Sequence, residues 1–69
     1  MKVYEINAFS EAYGRENYLF TSKAAAISYA DDIRENDNAE TIFLRTWAVV
    51  DGLLVIESNE PLWDKYGRE

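Results

Sequence analysis

Residues 40–56 read Glu40-Thr41-Ile42-Phe43-Leu44-Arg45-Thr46-Trp47-Ala48-Val49-Val50-Asp51-Gly52-Leu53-Leu54-Val55-Ile56, and this stretch decides the fold. The Asp-Gly pair favours positive φ at two successive residues. That is the requirement of a two-residue hairpin turn, and apolar β-formers flank it on both sides. The turn sets the register. Val50 faces Leu53, Val49 faces Leu54, Ala48 faces Val55, and Trp47 faces Ile56, with Glu57 expected opposite Thr46. The second strand is expected to stop at Asn59-Glu60-Pro61, because proline has no N–H to give to a ladder.

Upstream, residues 2–9 alternate. Tyr4, Ile6 and Ala8 share one face, and Val3, Glu5, Asn7 and Phe9 share the other, the pattern of a half-buried strand. Residues 10–17 are polar, contain Gly14 and read as a loop. Residues 18–21 (Tyr-Leu-Phe-Thr) form a short aromatic strand. Ser22 then fits a helix N-cap, followed by Lys23 and three alanines, good helix formers. At 100° per residue, Ala26, Ile27, Tyr29, Ala30 and Ile33 fall on one stripe. Ala24, Ser28, Asp31, Asp32 and Glu35 fall opposite. Asp37 would return to the apolar stripe, so the helix is expected to end by about residue 36. The sequence therefore predicts an α+β fold, an antiparallel sheet of about four strands in the order β-β-α-β-β with one helix on one face. Residues 1–60 make the domain and residues 61–69 an aromatic tail.

Composition narrows the function. A chain of 69 residues makes one domain with a thin core and no deep cleft. It has no cysteine and no histidine. That removes thiolate nucleophiles, the usual general base, and zinc in its ordinary ligand sets. The glycines stand alone, so no phosphate-binding loop is present. The acidic run after residue 30 fails the spacing of a calcium loop. No catalytic residue, metal site or cofactor is expected. Thirteen acidic residues against seven basic give a net charge of −6. That disfavours direct nucleic-acid binding and anionic membranes. No apolar run is long enough to span a bilayer, and residues 1–9 do not read as a signal peptide, so a cytoplasmic location is expected.

Two features point to a protein partner. Asp31, Asp32 and Glu35 occupy the C-terminal half of the expected helix, with Asp37 and Glu40 just beyond. The helix dipole is negative there, so each acid costs a few tenths of a kcal/mol; the run is either drift on an exposed face or an acidic patch that docks on a basic partner. Secondly, the hairpin is apolar on both faces, while one helix covers only one. The helix is expected on Ile42, Leu44, Ala48, Val50 and Val55. The face of Phe43, Trp47 and Ile56, interrupted by Arg45 and Ser58, is expected outside. The aromatic tail, a second copy or a different protein are the candidates to cover it. Trp47, Trp63 and Tyr66, with Arg45 beside them, are the available anchors, Trp and Tyr being types enriched at hot spots.

The opening Met1-Lys2-Val3-Tyr4, the junction Tyr18-Leu19-Phe20-Thr21-Ser22-Lys23, the alanine-rich helix and the Asp-Gly hairpin together resemble small phage-encoded proteins of the anti-CRISPR and host-takeover type. The resemblance lies in the order of elements over most of the chain. It implies a non-enzymatic inhibitor that binds a basic, nucleic-acid-binding surface of a host or defence complex, acting in the host cytoplasm. The alternative is a small homodimeric accessory or regulatory domain that self-associates through its hairpin face.

Overall fold

The structure, a computed structural model, describes residues 1–36 and 39–65. Its elements are β1 (Lys2–Ser10), β2 (Gly14–Phe20), α1 (Lys23–Asn36), β3 (Thr41–Val50) and β4 (Leu53–Asp64). The four strands form one antiparallel sheet in the order β2-β1-β3-β4, with the helix inserted between β2 and β3 in sequence. The α+β architecture is the one the sequence predicts. The first hairpin is tighter than expected. Ser10 pairs with Gly14, so residues 14–17 belong to a strand and only 11–13 turn. Gly14 supports that turn with a φ of +76°.

The second hairpin turns on Asp51 (φ 51°) and Gly52 (φ 79°), the left-handed pair its sequence calls for. The pairs from Val50–Leu53 to Trp47–Ile56 are those the turn dictates. Beyond them two bulges intervene. Ser58, not Glu57, stands opposite Thr46, and Glu57 is the extra residue. The strand also does not stop at Pro61; β4 runs on to Asp64. Proline is tolerated because β4 is an edge strand, so its missing N–H falls on the open side. The second bulge, at Leu62, lets two consecutive residues, Leu62 and Trp63, pack toward the helix-side core.

The core lies between α1 and one face of the sheet. Ile6, Ile42 and Leu44 are its largest fully buried side chains, met by Ala26, Ala30 and Ile33 of the helix. Tyr18 and Phe20 close one flank against Tyr29, with ring centroids 4.7 and 5.5 Å from it. Ser22 caps the helix, its Oγ accepting from the Ala25 N–H at 3.3 Å. The helix is about 21 Å long, whereas β3 spans roughly 33 Å. It therefore covers only part of the hairpin.

Candidate functional site

Beyond the helix-covered zone, β3 and β4 project as an arm. The backbone N–H of Val49 donates to the Met1 carbonyl at 3.1 Å, and β1 supports the arm no further. Val49, Val50, Leu53, Leu54, Val55 and Ile56 are all exposed, from 39 to 68%. The expected helix cover of Ala48, Val50 and Val55 is thus corrected, since Val50 and Val55 are exposed and Ala48 is half-buried. Nor do the described residues of the tail wrap the Trp47 face. Leu62 and Trp63 pack on the helix side. Tyr66 and Asp37 lie outside the described residues.

The outer face at the centre of the sheet is mixed: Phe43 and Trp47 of β3 lie there as expected, beside the polar Glu5 and Asn7 of β1. Glu5 and Asn7 are 5% and 3% exposed. Glu5 Oε1 accepts from Trp47 Nε1–H at 2.9 Å, and Glu5 Oε2 from Asn17 Nδ2–H at 2.7 Å, with Arg45 Nη1 3.9 Å away. Asn7 Oδ1 accepts from Arg15 Nη1–H at 2.8 Å, and the same guanidinium covers the Phe9 ring. Among the sequence candidates, Trp47 and Arg45 lie on this outer face, as expected. Their polar groups face Glu5. Glu5, Asn7, Arg15 and Asn17 were not picked out from sequence. The signal available was the placement of Glu5 and Asn7 between buried neighbours on a central strand.

At the other end of the molecule, Ile27, Ala30, Asp31 and Arg34 of α1 face Ile42, Leu62 and Trp63 across a groove of about 110 Å³. The Arg34 guanidinium lies 5.4 Å over the Trp63 ring, and Trp63 Nε1–H donates to the Ala39 carbonyl at 3.1 Å. Asp31, Asp32 and Glu35 are exposed, and Asp31 lines the groove. The salt bridges among the described residues lie elsewhere, at Lys2–Glu57, Lys23–Glu60 and Arg45–Glu5. The Lys2 ammonium is held above its ordinary range by its hydrogen bond to Glu57.

Glu40 does not belong to this acidic surface. It is 5% exposed, and its Oε2 accepts from the Glu11 N–H at 2.7 Å. Its backbone N–H donates to Phe9 and its carbonyl accepts from Lys65, both at 2.7 Å. It ties three segments together, a structural role that a count of nearby acids does not reveal.

The sequence candidates therefore divide. Asp31, Asp32, Glu35 and Trp63 gather at the helix end. Trp47 and Arg45 lie on the opposite face, at the root of the arm. Trp63 pairs with Ile42, and Trp47 lies five positions further along β3. Among the described residues, no group of three or more acids is placed to hold a metal ion, and no helix is long and apolar enough to cross a membrane. Comparison with protein-family models, curated proteins and solved structures finds no match to this chain.

Proposed function

We propose that the protein is a non-catalytic, stoichiometric protein-binding inhibitor that docks the acidic side of α1 on a basic, nucleic-acid-binding surface of a host or defence complex. The observation that carries this reading is the exposed acidic side of α1, formed by Asp31, Asp32 and Glu35, of which Asp31 lines the groove that Leu62 and Trp63 also line. Exposed carboxylates speed encounter with a cationic surface, and an apolar groove next to Asp31 holds the partner once it arrives. The docked inhibitor occupies the surface that phosphates would use. This is the mode of action implied by the resemblance to phage anti-CRISPR and host-takeover proteins, and the host cytoplasm is its place of action. The chain supplies neither histidine nor cysteine for nucleophilic chemistry, which favours binding over catalysis.

The test is a tagged pull-down from native host lysate at about 50 and about 500 mM salt, with an Asp31→Lys/Asp32→Lys/Glu35→Lys variant alongside. A nucleic-acid-handling partner retained at low salt, lost at high salt, and lost by the variant is expected. A partner captured equally by wild type and variant at both salts refutes the electrostatic docking. A second reading, a homodimeric accessory or regulatory domain, draws on a separate observation, the bare arm at the opposite pole.

A further inference from the structure

Both edges of the sheet are open to pairing, and they are protected unequally. The β2 edge carries Arg15, Glu16 and Asn17. On β4, the features that discourage edge pairing gather at 57–62: the bulge at Glu57, the charge of Glu60, Pro61 and the bulge at Leu62. Residues 53–56 (Leu-Leu-Val-Ile) have none of these. They are exposed on both faces of the arm and contain no charge. We propose that this segment pairs with the same segment of a second copy, as an antiparallel ladder about a two-fold axis through Val55. The ladder joins the two four-stranded sheets edge to edge.

Three arguments select this occupant and this register. The first is backbone direction. Val49 gives its N–H to Met1, on the β1 side, so Val49–Leu54 is a pair whose amides point away from each other. Leu54 and, two residues on, Ile56 therefore present N–H and C=O groups to the open edge. An axis through Val55 sets Leu54 of each copy opposite Ile56 of the other, and both pairs can close their bonds. The second is charge. Each chain carries −6, so acids must not meet. In this register Glu57 faces Leu53, Asp51 faces Asn59 and Glu60 faces Val50, and no acid stands opposite another. An axis through Leu54 would instead set Asp51 against Glu57. The third is surface chemistry. A strand added here meets apolar side chains above and below the sheet. It must itself be apolar on both faces, and 53–56 is such a strand.

The area is modest. The pairing segment is short, so a weak association that depends on protein concentration is expected. The inference goes beyond the inhibitor reading and does not depend on it, because the acids of α1 take no part. Salt separates the two. Screening weakens docking on a basic partner, but it strengthens the pairing of two chains of like charge.

Sedimentation equilibrium of the full chain from about 5 µM to about 1 mM, at low and high salt, tests the pairing directly. The expected result is a monomer–dimer equilibrium that tightens with salt. Val55→Lys, which sets two ammonium groups face to face on the axis, is expected to abolish it with an unchanged far-UV circular dichroism spectrum. A second variant reads the register without depending on affinity. The chain has no cysteine of its own. Across a non-hydrogen-bonded pair the Cα atoms lie about 4.5 Å apart, within disulfide range. Val55→Cys is therefore expected to oxidise to a covalent dimer, and Leu53→Cys, displaced along the ladder from its own copy, is not. A wild type that stays monomeric throughout assigns the arm to a different protein and overturns the proposal. So does a dimer that survives Val55→Lys, or one in which Leu53→Cys cross-links as readily as Val55→Cys.

Discussion

The two ends of β3 are built from the same kind of residue and have opposite fates. Ile42 and Leu44 are at most 1% exposed, whereas Val49 and Val50, on the same strand, are 39% and 49% exposed. Neither β-propensity nor alternation separates them. What separates them is reach, since the helix roofs the first half of the strand and ends short of the second. An apolar alternation in a strand says that a face wants cover. It does not say that this chain provides it, and the part left over is where a second molecule has most to gain.

That contrast can be broken from the covered side. Leu44→Ala is expected to cost about 3–4 kcal/mol, a large share of the roughly 3–10 kcal/mol available to a domain of this length, and urea denaturation would show it. Glu5→Ala, on the outer face, leaves Trp47 Nε1 and Asn17 Nδ2 without their acceptor. A loss of about 2–3 kcal/mol is expected, with Glu5→Gln recovering part of it because an acceptor oxygen remains. At the tip of the arm, Gly52→Ala meets no neighbouring atom, so its cost is conformational, about 1 kcal/mol for a side chain at φ +79°. Hydrogen exchange should show the loss concentrated in amides of the arm. Val50→Thr sharpens the comparison from the exposed side. A change within about 0.5 kcal/mol is expected, so a loss like that of Leu44→Ala in dilute protein would mean the arm is covered after all.

Much of the fold was legible because its signals were local. The Asp-Gly turn dictated four pairs of register, Ser22 marked the start of the helix, and the stripe from Ala26 to Ile33 marked its buried side. The errors came where a residue's surroundings are set at a distance. Pro61 reads as a stop unless β4 is known to be an edge. Glu5 and Asn7 read as a solvent face unless Trp47, Asn17 and Arg15 are known to fold over them. Glu40 reads as one more acid in a run unless the Glu11 amide is known to sit 2.7 Å away. The candidate site shared this fate. The helix acids could be grouped from spacing alone, but their separation from Trp47, which lies on the other face and five positions along β3 from the Ile42–Trp63 pair, could not.

The two tryptophans stand in different electrical surroundings. The Trp47 indole gives its N–H to a carboxylate at the root of the arm, and the Trp63 ring lies under a guanidinium at the helix end. Indole emission responds to such nearby charges, so each pole of the molecule carries its own native fluorophore. In a Trp63→Phe chain the remaining emission reports on the arm, and in a Trp47→Phe chain on the groove. Two encounters at opposite ends of one small protein can thus be watched separately by their light, with no dye attached.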